Sequence, residues 1–106
     1  MTNIALVFQS GKGQTKVLAD AIVKGIGAVD GASGRVFEIR EQDVHVERFE
    51  NKPLMTELDS CDGILFACAT YMGSGSAIFK AFLEAAFTPH WLEQRWKDKI
   101  AAGFTN

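Results

Sequence analysis

The sequence predicts an α/β fold, built as an open parallel sheet with helices on both faces. Short apolar runs alternate with segments of helical periodicity along the 106 residues. One run, Gly63–Ala69, is continuously apolar, which is typical of a central parallel strand buried on both faces. Ser- and Gly-containing turns follow the first and third apolar runs, at the edge where such sheets bind ligands.

We predict four strands and three helices in the order strand, helix, strand, short helix, strand, helix, strand. The predicted strands are Asn3–Phe8, Arg35–Arg40, Gly63–Ala69 and Lys99–Phe104. The predicted helices are Gln14–Gly25, Pro53–Leu58 and Ala77–Phe87, and Ser76 is positioned to cap the last of them. The first helical pattern has its apolar face at Val17, Leu18, Ala21, Ile22 and Ile26. The segments Glu41–Lys52, Met72–Ser76 and Trp91–Asp98 are predicted to be irregular.

Composition narrows the class of protein. A hydrophobic fraction of 47% is sufficient for the core of one domain, 1–106. A net charge of −2 gives no case for nucleic acid, and no apolar run is long enough for a membrane. Cys61 and Cys68 lack the spacing of a zinc or redox pair, so we expect buried free thiols in the cytoplasm.

The turn Ser10–Thr15 is the first candidate functional segment. It leaves a strand and opens a helix, so backbone N–H groups and the positive end of the helix dipole converge on one point. Ser10 and Thr15 add hydroxyls, while Gly11 and Gly13 allow an anion to approach closely. The turn lacks the pattern of a nucleotide-triphosphate loop and the third glycine of the dinucleotide fingerprint. It therefore predicts a seat for one terminal phosphate, with an ordinary strand-to-helix turn as the alternative.

A second segment, Thr70–Ser76, follows the central apolar strand. Together, the two loops resemble those of the flavodoxin-like NAD(P)H:quinone oxidoreductases, in the group historically called tryptophan-repressor-binding proteins. There the second loop reads Thr-Pro-Thr-Arg-Phe-Gly, followed by a Ser; Thr70, Gly73 and Ser76 keep that pattern. The positions that depart from it are Cys68, Ala69, Tyr71 and Met72. The resemblance covers nearly the whole chain and implies a flavodoxin-like sheet with strand order 2-1-3-4.

The resemblance implies that the chain binds FMN, with NADH or NADPH as electron donor and a small-molecule quinone as acceptor. The first turn would hold the phosphate, and the backbone of Thr70–Gly73 would meet the pyrimidine edge of the flavin. Tyr71, Met72 and Trp91 would lie beside the ring, with Trp91 at the rim; simple rim packing is the alternative for Tyr71. We expect no catalytic side chain and no metal, because the cofactor carries the hydride chemistry. The residues expected to bind the cofactor are Ser10, Gly11, Lys12, Gly13, Gln14, Thr15, Thr70, Tyr71, Met72, Gly73, Trp91, Thr105 and Asn106.

Members of the family continue beyond the fourth strand, whereas this sequence ends at Asn106. We therefore expect this sequence to lack the final strand and helix of the family fold, and the fourth strand to have an open edge. Apolar surface beside the first helix is expected to be uncovered as well. We therefore expect a homo-oligomer rather than a stable monomer.

Two alternatives to the reductase stay open. One is a flavodoxin-type electron carrier without catalysis of its own, whose usual strongly acidic surface a net charge of −2 does not provide. The other is a flavodoxin-like scaffold that binds no ligand.

Overall fold

A computed structural model of the chain describes residues 1–11, 13–46 and 48–105. In chain order the elements are β1 (Thr2–Gln9), α1 (Gln14–Gly27), β2 (Ala32–Glu38), a 3-10 turn (Glu41–Asp43), β3 (Val44–His45), β4 (Arg48–Phe49), α2 (Lys52–Ser60), β5 (Gly63–Cys68), β6 (Thr70–Tyr71), β7 (Ser74–Gly75), α3 (Ala77–Ala85), a wide helical turn (Phe87–Trp91) and β8 (Ile100–Thr105). Four of these strands form the main sheet, and the other four form two short hairpins.

The main sheet has the strand order β2-β1-β5-β8, and all its pairings are parallel. Leu6 of β1 lies opposite Val36 of β2 on one side and Leu65 of β5 on the other. Leu65 in turn lies opposite Ala102 of β8. The predicted order 2-1-3-4 and the predicted α/β architecture are confirmed.

Side chains of β1 alternate between two apolar layers, as a pleated strand requires. Val7 packs in the layer that contains Leu58 of α2 and Phe82 of α3. Phe8 packs in the other layer, with Ala19 of α1. Helices therefore cover both faces of the sheet, and its central strands form the core.

The buried face of α1 differs from the apolar face that was predicted from the sequence. Thr15 and Ala19 are its buried residues, and Ile22 is half-buried. Val17 and Leu18 are exposed instead. The reason is that α1 lies mainly over β1 and β2, so only the narrow stripe that faces those strands is covered.

Two segments predicted to be irregular contain strands of short hairpins, and a wide turn follows α3 where the sequence predicted only the end of the helix. β3 pairs antiparallel with β4, and β6 pairs antiparallel with β7. The segment 87–91 forms a wide turn, in which the Trp91 N–H donates to the Ala86 carbonyl at 2.8 Å. Strands of two residues are too short to show the alternation by which a strand is recognised in sequence.

The starts of α2 and α3 are fixed by side-chain caps. Ser76 Oγ accepts a hydrogen bond from the Phe79 N–H at 3.1 Å, which confirms the predicted cap. Asn51 Oδ1 does the same for the Leu54 N–H at 3.1 Å, with Pro53 in the first turn of α2. Because Ser76 directly follows β7, α3 begins where the β6–β7 hairpin ends.

Both cysteines are free thiols; Cys61 is buried and Cys68 is half-buried. In the described ranges, no helix combines the length and the apolar character needed to cross a membrane.

Candidate functional site

The candidate site lies at the carboxyl ends of β1, β5 and β8. Three segments meet there: the turn 10–15, the β6–β7 hairpin and the end of β8. Gln9 lies opposite Cys68, and Cys68 lies opposite Thr105, so the three strand ends share one register. This is the edge at which open parallel sheets bind ligands.

The turn after β1 is closed by a bond between its own residues. Ser10 Oγ accepts a hydrogen bond from the Gly13 N–H at 2.9 Å, which leaves the hydroxyl proton of Ser10 available for donation. Gly13 has φ 91° and ψ −7°, a left-handed conformation that glycine adopts without a Cβ penalty. Gly13 is also the N-cap of α1 and has no side chain with which to satisfy the first N–H groups of the helix. A helix start without a side-chain cap suits an anion.

Two buried polar side chains flank this turn. The Thr15 side chain is 1% exposed in the first turn of α1. Gln9 is 7% exposed, and nothing in the described part of the chain donates a hydrogen bond to its Oε1. Buried side-chain oxygens are normally hydrogen-bonded, so Gln9 offers an unpaired acceptor next to the turn.

The β6–β7 hairpin has a two-residue turn. Met72 has φ 50° and Gly73 has φ 77°, so both central residues are left-handed, as a type I′ turn requires. The Met72 side chain is fully exposed at the tip. Sequence analysis missed this hairpin because Met is not a residue that normally signals a type I′ turn.

Tyr71 reaches from the hairpin to the turn after β1. A Cβ placed on Gly11 would lie 1.9 Å from Tyr71 Oη and 3.3 Å from its Cζ. The phenol therefore packs directly on the backbone of Gly11, in space that any other residue at position 11 would occupy.

The base of the hairpin is tied to β8. The hydroxyl oxygens of Thr70 and Thr105 are 2.6 Å apart, and the Thr105 hydroxyl donates to the Cys68 carbonyl at 2.8 Å. Thr105 thus connects the end of β5 with the first residue of the hairpin. Together with Tyr71, these bonds hold the hairpin across the site.

The structure brings most of the predicted site residues to this edge: Ser10, Gly11, Gly13, Gln14, Thr15, Thr70, Tyr71, Met72, Gly73 and Thr105. Lys12 and Asn106 lie outside the described residues.

Trp91 lies at the opposite edge of the sheet in its own chain. α3 leaves the carboxyl edge and runs back across the sheet, and Trp91 follows its end. The same segment leads into Ile100, which lies opposite Gly63 at the start of β5. Trp91 is exposed there and stacks on Phe87, with ring centroids 5.3 Å apart. The distance of Trp91 from Lys99 along the sequence did not reveal at which edge of the sheet Trp91 lies.

A polar network around Asp59 was not predicted. Asp59 Oδ1 lies 2.7 Å from His90 Nδ1 and accepts a hydrogen bond from Trp96 Nε1 at 2.7 Å. Arg95 donates to Asp59 Oδ2 at 3.3 Å, and Lys99 Nζ donates to the Asp59 carbonyl at 2.9 Å. Its members are more than 30 positions apart from Asp59, so no local pattern reveals the network. It joins α2 to the segment between α3 and β8.

The network sets the protonation state of Asp59. Burial alone would raise the pKa of this carboxyl, but hydrogen bonds from His90 and Trp96, the charge of His90 and a hydrogen bond from Arg95 together lower the pKa. The carboxylate is therefore the favoured form. In the portion of the chain that the structure covers, no group of three His, Cys, Asp or Glu side chains could hold a metal ion.

Comparison with known proteins gives the family. The family of NADPH-dependent FMN reductases matches residues 4–105, and the chain belongs to it. A flavodoxin of Pseudomonas aeruginosa (strain UCBPP-PA14), FldP, is 35% identical over 106 residues, which are all of this chain and 51% of FldP. The crystal structure of a flavodoxin, a WrbA-like protein from Agrobacterium tumefaciens, has a TM-score of 0.78 and 32% identity. That match covers 100% of this chain and 60% of the other.

The fold is therefore flavodoxin-like, as the resemblance implied. The chain spans about half the length of the curated relative that it matches.

Proposed function

We propose that this chain binds FMN at the carboxyl edge of its sheet and acts as an FMN-dependent NAD(P)H:quinone oxidoreductase. One observation carries the proposal. Three segments at that edge present helix N–H groups, neutral hydroxyls and a buried acceptor without a partner. The family match supports the cofactor, and the two-electron reduction of a quinone is our proposal for the reaction.

The residues at the edge suit the parts of FMN. The N–H groups at the start of α1 and the hydroxyls of Ser10 and Thr15 suit a phosphate. The unpaired Oε1 of Gln9 suits a hydroxyl donor of the ribityl chain. The backbone of Thr70–Gly73 supplies donors and acceptors for the pyrimidine edge of the ring.

When bound, FMN supplies the hydride and electron transfer, so the side chains need not provide a nucleophile. The turn 10–15 anchors the phosphate and thereby fixes the orientation of the cofactor. The β6–β7 hairpin, held by Thr70 and Thr105, limits the space beside the ring. Met72 at its tip provides a polarizable surface for a nicotinamide or a quinone.

Cofactor binding is tested first. Purified protein mixed with FMN should elute from gel filtration with flavin absorbance at a one-to-one ratio. The protein should then oxidise NADH or NADPH in the presence of benzoquinone. Absence of flavin in the protein peak would contradict the cofactor assignment, and bound flavin without turnover would contradict the reductase alone.

An electron carrier is the second candidate, because the relative that covers this whole chain is itself named a flavodoxin. Reductive titration of the FMN-loaded protein separates the two candidates. Two well-separated one-electron steps would favour the carrier, whereas direct two-electron reduction by NAD(P)H would favour the reductase. Failure to bind FMN would favour a ligand-free scaffold.

We also propose that the protein works in the cytoplasm and associates with copies of itself. The two free thiols support a reducing compartment. In the described sheet β8 has a partner strand on one side only, which supports self-association, because a strand with unpaired backbone groups can pair with the same strand of a second copy.

A further inference from the structure

We propose that the Tyr71 hydroxyl donates a hydrogen bond to the phosphate held in the turn 10–15, and that this residue makes the site prefer a phosphorylated flavin. The inference rests on the proposed FMN function. It gives Tyr71 a different role from the flat surface expected from the sequence.

The position of the phenol carries the argument. Tyr71 Oη lies where the Cβ of any residue other than glycine would be at position 11, in the middle of the turn. The ring is therefore directed at the backbone of the phosphate turn. Tyr71 is still 48% exposed, so a ligand can reach it from the open side.

The hydroxyl is available as a donor. Among the residues that the structure describes, none forms a hydrogen bond with Tyr71 Oη, and no ring contact involves Tyr71. The hairpin limits its movement, because Thr70 is bonded to Thr105 and the two-residue turn follows at once. A donor already held in place loses little conformational freedom when it meets its acceptor.

A further hydrogen-bond donor at this turn would strengthen the binding of a phosphate. The described residues of the turn, Ser10, Gly11 and Gly13–Thr15, are all uncharged. Lys16, the next cation along α1, is paired with Asp20 at 3.0 Å. Beside the described neutral donors of the turn, one more O–H directed at a phosphate oxygen forms a charge-assisted bond.

The first test compares two ligands and two proteins. Tyr71→Phe keeps the ring and removes the hydroxyl. We expect its affinity for FMN to fall about tenfold or more, and its affinity for riboflavin to stay within about twofold. Riboflavin is the matched control, because it has the same ring and ribityl chain without the phosphate. An unchanged ratio of the two affinities would overturn the role of Tyr71 while leaving the FMN function intact.

A double-mutant cycle tests the contact itself. Gly11 is not among the glycines with positive φ, so Gly11→Ala is compatible with the backbone and its Cβ displaces the phenol. We expect Gly11→Ala to lower FMN selectivity in the wild type and to lower it clearly less in Tyr71→Phe, because the part that acts through the phenol is already lost. Additive losses would mean that the two residues act separately, which would contradict the proposal.

Tyr71 is the only tyrosine, so a spectroscopic probe needs no assignment. With 3-fluorotyrosine incorporated, the fluorine resonance should shift with FMN and with inorganic phosphate, and much less with riboflavin. A shift with riboflavin as large as that with FMN would mean that Tyr71 meets the ring rather than the phosphate. If the wild type binds neither FMN nor phosphate, both this inference and the proposed function are wrong.

Discussion

The two edges of the sheet differ in how their polar groups are satisfied. At the amino edge, Asp59 is surrounded by His90, Trp96 and Arg95, and all of them are bonded to it. At the carboxyl edge, no side chain of the described residues bonds the Tyr71 hydroxyl or Gln9 Oε1, and the N-cap Gly13 makes no side-chain cap for α1. One edge is closed by its own residues, and the other leaves donors and acceptors for a ligand.

The difference between the two edges supports our proposal that the carboxyl edge binds a ligand, and it indicates that the amino edge stabilises the fold. A buried polar group without a partner costs free energy, so unpaired groups persist where something else satisfies them. The amino edge contains the stronger charges, yet those charges are mutually neutralised. Concentration of charge alone therefore does not identify the edge that has unsatisfied polar groups.

The largest effect is expected from self-association at β8. Ile100 is 68% exposed on this strand, whose outer edge is unpaired within the described sheet. Burying a few hundred Å² at about 25 cal/mol/Å² contributes several kcal/mol, which is comparable to the whole stability of a small domain. Sedimentation at low micromolar concentration should show a dimer or larger oligomer, and Ile100→Lys should shift it toward the monomer.

Val29→Lys is the control for that experiment, because Val29 is a similarly exposed apolar residue in the connection between α1 and β2. It should leave the oligomer unchanged. A cooperatively melting monomer of the wild type would contradict self-association and would leave the FMN site unaffected.

The second prediction concerns a substitution that weakens the polar network at the amino edge of the sheet. Asp59→Asn keeps the shape of the side chain but removes the charge that His90 and Arg95 face. We expect the free energy of unfolding to fall by about 2–3 kcal/mol, because a partly buried network loses its negative charge and one of its two acceptor oxygens. Urea denaturation measures the loss, and FMN affinity of the folded variant should not change.

Glu57→Gln provides the matched comparison on the same helix. Glu57 pairs with Arg35 at 2.5 Å, but both side chains are largely exposed. Exposed pairs contribute at most about 1 kcal/mol, so this variant should be close to wild type. Equal losses for the two variants would mean that the Asp59 network has no special role in stability.

The third prediction concerns substitutions in the turn 10–15, at the carboxyl edge of the sheet. Thr15→Val keeps the shape of a side chain that is almost fully buried and removes its hydroxyl. FMN affinity should fall by about 1.5–3 kcal/mol if that hydroxyl bonds the phosphate, and Ser10→Ala should act similarly. Equilibrium titration followed by flavin fluorescence measures it, and Thr56→Val on α2 is the control. Unchanged binding in both variants would mean that the segment is only a turn.

The sequence was sufficient for features that depend on neighbouring residues. The apolar runs predicted the four strands of the main sheet, whereas their order was implied by the family resemblance. The Ser10–Thr15 turn and the Ser76 cap were recognised from a few adjacent residues. These features follow from periodicity and from the chemistry of turns and caps, which act over a few positions.

Features that depend on distant residues were missed. Tyr71 meets Gly11 across 60 positions, and Asp59 meets His90 across 31. The orientation of α1 depends on which strands it covers, and the edge reached by Trp91 depends on the direction of α3. No pattern within one element contains that information.

The smallest effect concerns the pH dependence of stability at the closed edge. The pKa of Asp59 is lowered on folding below its ordinary value of 3.8, by the bonds and charges that outweigh its burial. Such a group stabilises the folded state above the ordinary pKa, and that contribution is lost as the pH falls through the folded pKa. The difference in unfolding free energy between wild type and Asp59→Asn should therefore shrink as the pH falls from about 5 into strong acid. Urea denaturation of both proteins over this range measures it, with Glu57→Gln as the reference. A difference that stays constant into strong acid would mean that Asp59 stabilises the fold by its shape and not by its charge.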